Sequence, residues 1–287
     1  MNKYRNETNS LNPFLRFFKI LSLNAQRMPS KKKGVPVAAC AVFISLGIMF
    51  SAIAVPQLYA APKQEIIEIQ PEADSKKASH MIKGIPIVVQ DYYKAGCETY
   101  ACTMLLNMLG FDLDEHTIAD NYLNCQFVYM GEEEGGENYG PDLYSAFAGT
   151  AYGGWGVYAP SMAKSMNNYL KDRKSNLKAY NMENVPLEDL IDEYVSKGVP
   201  VMVWATTDMD EPYVFTTWIV NYVDENARTK LGDTFSWYMH EHCLVLIGYD
   251  SDSYYFADST AGKISVFKKD LVKKRYEQMG QQSIVVK

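Results

Sequence analysis

Residues 90–110 read QDYYKAGCETYACTMLLNMLG, and this stretch decides the fold. From Cys97 to Leu109 the apolar residues recur at helical spacing, and Gly110 ends the run, so the pattern predicts a helix that begins at the cysteine. The positive end of a helix dipole stabilises an anion, and a thiol attacks as its thiolate. The sequence therefore predicts a nucleophilic cysteine at Cys97.

Two residues far downstream could complete the chemistry of this cysteine. His242 begins an apolar run, and Asp258 follows it by 16 residues. Adjacent antiparallel strands would bring the two side by side, so that Asp258 orients the imidazole and His242 takes the thiol proton. Upstream, Gln90 could donate its amide to an oxyanion, together with the Cys97 backbone N–H. The predicted catalytic residues are Cys97, His242, Asp258 and Gln90.

Several residues compete for these roles. A single cysteine, histidine or aspartate is more often a packed or turn-capping residue than a catalytic one. The prediction therefore depends on the order and spacing of the candidate residues along the chain. His240 shares a strand side with His242, but the apolar run follows His242 directly and residues 231–239 are predicted as a loop. Cys243 points to the opposite face from His242. Residues 240–243 could bind a metal, yet no second ligand group with zinc-like spacing accompanies them, so we expect no metal and no cofactor.

Charge is distributed unevenly along the chain. Residues 1–33 hold eight lysines and arginines against one glutamate, a net charge of +7, so the rest of a chain of net charge −6 carries −13. An acidic body argues against nucleic-acid binding, which requires a basic surface. Residues 34–56 carry no charge and are long enough to cross a hydrocarbon core of about 30 Å as a helix.

The predicted organisation has four segments. They are a basic cytoplasmic tail (1–33), a transmembrane signal anchor or long signal peptide (34–56), a linker (57–80) and a catalytic domain (81–287). The basic residues before the apolar run predict that the chain after it lies outside the cell. The length of the run favours an anchor, which gives a single-pass membrane protein with an extracellular domain, whereas cleavage near Ala60 would secrete the domain.

The secondary-structure pattern changes along the predicted domain. Helices are predicted first and strands later, which indicates an α+β domain whose helical part carries Cys97 and whose antiparallel sheet carries His242 and Asp258. The predicted helices are 97–109, 114–121, 161–170, 187–197 and 270–278. The predicted strands are 85–89, 200–205, 242–247, 253–256, 263–267 and 283–286. An acidic, glycine-rich segment, 131–137, is predicted as a solvated loop.

The domain resembles the leader-peptidase-like cysteine peptidases, family thirty-nine of the cysteine class, which are papain-like, in their stand-alone exported branch. The stretches that match are 85–90, 96–99, 104–110, 147–149, 156–160, 198–204, 241–250 and 254–258. The resemblance covers about residues 82–287. It implies a papain-like fold with Cys97 as nucleophile, His242 as base, Asp258 as orienting residue and Gln90 at the oxyanion hole.

One departure from the family pattern is visible. The family commonly has Asn-Asp-Pro where this chain has Ala257-Asp258-Ser259, which keeps the aspartate but alters its turn. Relatives fused to transporters cut double-glycine leader peptides in the cytosol. This chain lacks transporter segments and is predicted to export its domain, so we do not transfer that substrate.

The expected function is an exported cysteine peptidase of a bacterial cell surface, acting on a peptide or protein substrate. Two alternatives stay open. One is a cell-wall peptide or amide hydrolase that uses the same Cys-His dyad, and the other is a non-catalytic surface binding module on a papain-like scaffold. The four tryptophans could line a substrate groove or fill the core.

Overall fold

The computed structural model describes residues 79–131 and 136–287. The predicted tail, the membrane segment 34–56 and nearly all of the predicted linker lie outside the described residues, as does most of the acidic loop. None of the helices in the described ranges has the length and apolar character needed to cross a bilayer. The first strand, β1 (His80–Met81), begins at the last residue of the predicted linker.

A seven-stranded sheet forms the centre of the domain. Besides β1, its strands are β6 (Ala179–Asn181), β7 (Val201–Thr206), β10 (Glu241–Tyr249), β11 (Ser253–Asp258), β12 (Lys263–Lys268) and β13 (Ser283–Val286). All the strand pairs are antiparallel, in the order β12-β11-β10-β7-β13-β6, with β1 also paired to β10. Strands β7 and β10 are buried almost throughout, which explains their continuous apolar sequences.

In residues 79–131 and 136–287, five α-helices accompany the sheet. They are α1 (Cys97–Met108), α2 (Glu115–Asn121), α3 (Ala159–Asp172), α4 (Leu187–Glu193) and α5 (Lys269–Gln278). The predicted start of α1 at Cys97 is confirmed, and the helix is buried from there to Leu106. The predicted helix 187–197 is α4 followed by a separate 3₁₀ turn (Val195–Lys197), and it stops at Gly198, whose φ of 84° is left-handed.

Within the described part of the chain, six further strands form two small sheets of three strands each. They are β2 (Cys125–Gln126), β3 (Tyr139–Pro141), β4 (Phe147–Thr150), β5 (Gly153–Gly156), β8 (Val214–Tyr222) and β9 (Thr234–Tyr238). The sheet orders are β2-β4-β5 and β3-β8-β9, and each sheet contains one parallel pair. The prediction of a loop at 231–239 was wrong, because β9 occupies most of it. The predicted strand 85–89 was also wrong, since that segment has no strand structure.

The tryptophans belong to the core. Trp155 packs edge-on against Trp237 with ring centroids 4.9 Å apart, and Trp218 stacks on Phe235 at 5.1 Å. The indole N–H of Trp237 donates to the backbone oxygen of Trp155 at 2.7 Å, and that of Trp204 to the oxygen of Val157 at 3.0 Å. These contacts fix the end of β5, which lies beside the candidate site described next.

Candidate active site

His242 and Asp258 are brought together by the sheet. Val245 of β10 pairs with Ala257 of β11, so Asp258 lies opposite Leu244, on the same face as His242. Nε2 of His242 lies 3.0 Å from Oδ1 of Asp258, and both side chains are buried. The predicted pairing of these two residues is therefore present in the structure.

Asp258 is held by more than the histidine. Its Oδ1 also accepts the backbone N–H groups of Thr260 and Ala261 at 3.1 and 3.2 Å, and its Oδ2 accepts the Ser265 hydroxyl at 2.8 Å. Burial acts to raise the pKa of Asp258, but the bond and charge of His242 and the bonds from Ser265 and Ala261 hold it below its ordinary value. Asp258 thus remains an anion that can orient the imidazole.

The Cys97 thiol lies at the first turn of α1, buried at 8% exposure. Its sulfur is close to the backbone N–H of Cys243, the residue after His242, and this hydrogen bond lowers the pKa of Cys97. Burial has the largest effect and raises the pKa of Cys97, and the charges of Glu98 and Glu241 raise it further. The pKa therefore lies well above the ordinary value despite the hydrogen bond from Cys243. The thiol donates to Oε2 of Glu98 at 3.3 Å, and within the described residues no hydrogen bond joins it to His242. In the described conformation the Cys97 thiol is therefore a hydrogen-bond donor to Glu98 rather than to His242.

Two glutamates that sequence reasoning did not assign to the site lie beside the thiol, and of these Glu98 is fully buried and Glu241 is partly buried. Burial raises the pKa of Glu98, although backbone N–H groups and the thiol act to lower it, and burial followed by the charge of Glu98 raises that of Glu241. The sulfur of Cys97 and carboxylate oxygens of the two glutamates lie within 4.8 Å of one another, so in the described part of the chain these three side chains could hold a metal ion. The sequence feature that could have identified the two glutamates is their position, because Glu98 directly follows Cys97 and Glu241 directly precedes His242.

Gln90 connects the two sides of the site. Its Nε2 donates to the backbone oxygen of Tyr93 at 2.9 Å, on the segment that leads to Cys97. Its Oε1 accepts the hydroxyls of Ser259 and Thr260 at 3.0 and 3.3 Å, and its backbone N–H donates to the Ser259 oxygen at 2.8 Å. Gln90 therefore lies between the nucleophile loop and the turn that follows the aspartate.

The competing residues occupy other positions. His240 lies in the turn between β9 and β10 with a φ of 71°, and its ring contacts Tyr213 at a centroid distance of 5.7 Å. Cys243 is fully buried, and burial raises its pKa, followed by the charges of Glu98 and Glu241. The four cysteines in the described ranges, including Cys102 and Cys125, are free thiols.

Sequence comparison gives the family. The model of the Peptidase_C39 like family matches residues 82–284, most of the chain. The chain belongs to this family. The crystal structure of a Bacillus anthracis protein described as a C39-like peptidase is similar, with a TM-score of 0.59 and 25% identity over 73% of this chain and 97% of that chain. The uncharacterized protein YvpB of Bacillus subtilis (strain 168) is 25% identical over 193 residues, 67% of this chain and 68% of YvpB.

Membership in the C39-like family confirms the resemblance inferred from the motifs. It also fits the mixed α and β architecture described above. The family indicates cysteine peptidase chemistry and a peptide or protein substrate.

Proposed function

We propose that this C39-like protein is an exported cysteine peptidase that hydrolyses peptide bonds with Cys97, His242, Asp258 and Gln90. The observation that carries the proposal is the buried bond between Nε2 of His242 and Oδ1 of Asp258, because the backbone N–H of the next residue, Cys243, bonds the sulfur of Cys97. A histidine oriented by an aspartate next to a thiol at a helix start is the arrangement that nucleophilic catalysis requires.

The two nitrogens of His242 have different roles in this mechanism. Asp258 engages Nε2, so Nδ1 takes the thiol proton. In the described conformation the thiol donates to Glu98, so a rotation of the Cys97 side chain precedes the transfer. Hydrogen bonds of catalytic groups are often completed only when substrate binds.

The reaction then proceeds in two halves. The Cys97 thiolate attacks the scissile carbonyl carbon, and the carbonyl oxygen becomes an oxyanion that the Cys97 backbone N–H and the Gln90 amide stabilise. The carbon–nitrogen bond breaks as the imidazolium of His242 gives its proton to the leaving amine. Water, deprotonated by the same imidazole, hydrolyses the thioester and releases the acid product and the free thiol.

The location of the domain is the second part of the proposal. Residues 34–56 are uncharged and follow a segment of net charge +7, which supports a single membrane span with the domain outside the cell. Cleavage near Ala60 would release the same domain into the medium. Cell fractionation followed by protease protection of whole cells tests this, and a domain that stays protected in intact cells would contradict export.

The catalytic proposal is tested by alkylation of the full-length protein in detergent. Iodoacetamide is applied at pH 6, and labelling is assigned to each cysteine by peptide mass spectrometry. We expect Cys97 to react faster than a free thiol and to slow at least tenfold in His242→Ala, whereas His240→Ala, the matched control, keeps the wild-type rate. Labelling of Cys97 at the rate of a free thiol, or unaffected by His242→Ala, would contradict the triad and favour a binding module.

The substrate class is tested separately. Peptide mixtures and purified cell-wall fragments are incubated with the wild type and with Cys97→Ala, and the products are identified by mass spectrometry. New peptide termini that depend on Cys97 support a peptidase. Release of cell-wall fragments without cleavage of ordinary peptides would indicate a cell-wall hydrolase instead.

A further inference from the structure

Tyr93 is a fully buried residue that lies between Gln90 and Cys97 in the sequence. Its backbone oxygen accepts Nε2 of Gln90 at 2.9 Å. On its other side it packs against Gly96, the residue before the nucleophile, because a Cβ atom at Gly96 would lie only 2.8 Å from the Cβ of Tyr93. Tyr93 therefore touches the chain on both sides of the proposed oxyanion hole.

The bond to Tyr93 helps to orient the amide of Gln90. Oε1 of Gln90 accepts the hydroxyls of Ser259 and Thr260, which sets the direction of the oxygen end of the amide. The amide nitrogen carries two hydrogens, and the bond to the Tyr93 oxygen uses one of them, which leaves the second for an oxyanion. The position of the Tyr93 carbonyl group therefore sets the direction of that second N–H.

The backbone of Tyr93 is held by the helix that carries the nucleophile. The hydroxyl of Tyr100 accepts the backbone N–H groups of Tyr92 and Tyr93 at 3.3 and 3.4 Å. Tyr100 is fully buried and lies in α1, about one turn after Cys97. The loop that contains Gln90 is therefore tied to the same helix as the thiol.

The side chain of Tyr93 is held by a second group of residues. Its hydroxyl forms a hydrogen bond with Nδ1 of His116 and lies 3.4 Å from both Oδ1 of Asp120 and the hydroxyl of Tyr152. Tyr152 also donates to Oδ1 of Asp120 at 3.0 Å, and its ring packs edge-on against that of Tyr93 with centroids 4.6 Å apart. His116 and Asp120 belong to α2, and Tyr152 to the turn between β4 and β5. A buried hydroxyl needs its partners, so these bonds fix the ring of Tyr93 against α2.

We propose that Tyr93 is a positioning residue for the oxyanion hole, whose hydroxyl anchors its ring on α2 while its carbonyl oxygen directs the amide of Gln90. This inference rests on the proposed function, because Tyr93 acts through Gln90. Without the hydroxyl, the loop loses its attachment to α2 and the amide donor moves away from its productive position. Such a displacement weakens the stabilisation of an oxyanion and leaves the thiol and its base in place.

The test compares two reagents that modify Cys97, of which only one forms an oxyanion. With p-nitrophenyl acetate the thiol proton passes to His242 and the sulfur attacks the carbonyl carbon, which gives a tetrahedral oxyanion. The carbon–oxygen bond then breaks, p-nitrophenolate leaves with the electron pair, and Cys97 carries an acetyl thioester. Iodoacetamide instead alkylates the sulfur at a saturated carbon as iodide leaves. Both rate constants at Cys97 are measured on the full-length protein in detergent at pH 7 by peptide mass spectrometry.

We expect Tyr93→Phe, which removes only the hydroxyl, to lower the rate constant of acetylation at least about fivefold and to keep that of alkylation within about twofold of wild type. Tyr122→Phe is the matched control, because it also removes a tyrosine hydroxyl bonded to an aspartate, Asp172, at 3.2 Å. The control should change neither rate constant. In a Gln90→Ala background Tyr93→Phe should cause no further loss of acetylation, because the group that it positions is absent. A purely structural role of Tyr93 would not produce this dependence on Gln90.

Thermal melting checks that each variant is folded. If Tyr93→Phe does not fold, His116→Ala decides the outcome, because it removes a partner of the Tyr93 hydroxyl from a partly exposed position and should have the same effect. Unchanged acetylation, an equal loss of acetylation and alkylation, or the same loss with and without Gln90 would overturn the inference. Failure of the proposed function is distinct, because the triad fails if His242→Ala leaves both rate constants unchanged.

Discussion

Nε2 of His242 lies 3.0 Å from Oδ1 of Asp258, and the two side chains are 3% and 4% exposed. Neither group can therefore turn to water if the other is lost, and a buried polar group without its partner costs about 1–3 kcal/mol. The relationship couples the stability of the domain to the geometry of its proposed base. Changes at Asp258 should consequently affect both.

Asp258→Asn tests this coupling through activity. The amide cannot act as the anion that stabilises an imidazolium, and it favours the wrong tautomer of His242. We expect kcat to fall by about 10²- to 10⁴-fold with KM little changed. Steady-state assays on a substrate found in the peptide screen provide the measurement. Retention of more than a tenth of wild-type kcat would contradict the assigned role.

The pH dependence of stability gives a second test of Asp258. Its pKa is held below the ordinary value of about 3.9, so its contribution to folding is present above that pH and is lost as pH falls through the lowered folded-state value. The difference in unfolding free energy between wild type and Asp258→Asn should therefore shrink as the pH falls below about 3.9. Urea denaturation at several pH values measures it, and a constant difference would contradict the lowered pKa.

Gly156→Ala should destabilise the domain more than an ordinary glycine substitution. Gly156 has a φ of 124°, and the new Cβ would lie 2.8 Å from Glu98. The strained backbone alone costs about 1–3 kcal/mol, and the contact adds to this. Gly198→Ala is the matched control, because its φ of 84° is also positive but its Cβ would have nothing within 4 Å. Equal losses of unfolding free energy in the two variants would show that the contact with the carboxyl group is unimportant.

Gln90→Ala should lower kcat by about 10²-fold, the effect of removing one oxyanion-hole donor. Thr260→Val removes only the weaker of the two hydroxyl bonds to Gln90, at 3.3 Å, and should leave kcat within a fewfold of wild type. Comparison of kcat and KM for the two variants separates oxyanion stabilisation from support of the turn. A similar loss in both variants would assign Gln90 to the support of the Asp258 turn.

Asp142 should be a major determinant of stability away from the site. It is fully buried and accepts the backbone N–H groups of Tyr144, Arg228 and Thr229 and the Thr229 hydroxyl. Asp142→Ala leaves four partly buried donors without their partner, so we expect a loss of about 3–5 kcal/mol of unfolding free energy. Asp233→Ala, at an exposed turn, should cost less than about 1 kcal/mol. Chemical denaturation measures both variants, and similar losses would contradict the role of Asp142.

The elements that sequence reasoning identified share a strong local signal. Helix α1 has periodic apolar residues closed by Gly110, and β13 was predicted with its observed limits because Ser283–Val286 is a short apolar run. β8 was missed because polar Thr216 and Thr217 interrupt its apolar residues. The false strand at 85–89 contains Pro86, which lacks the N–H that a strand ladder needs.

The residues of the candidate site also differ in how well the sequence predicts them. The order of Cys97, His242 and Asp258 could be recognised in the sequence, and the bond between the last two follows from neighbouring antiparallel strands. The enclosure of the Glu98 side chain and of Oε1 of Glu241 could not be predicted, because a glutamate is normally exposed and only the tertiary structure brings both carboxyl groups to Gly156. Local sequence therefore indicates the reacting groups, while the charges that surround them depend on tertiary structure.

The bonds between Gln90 and Ser259 join segments 169 residues apart. They connect the loop before the nucleophile to the turn after the aspartate, and this connection exists before any substrate binds. Because these two segments are already ordered relative to each other, little of the binding energy of a substrate is needed to order them.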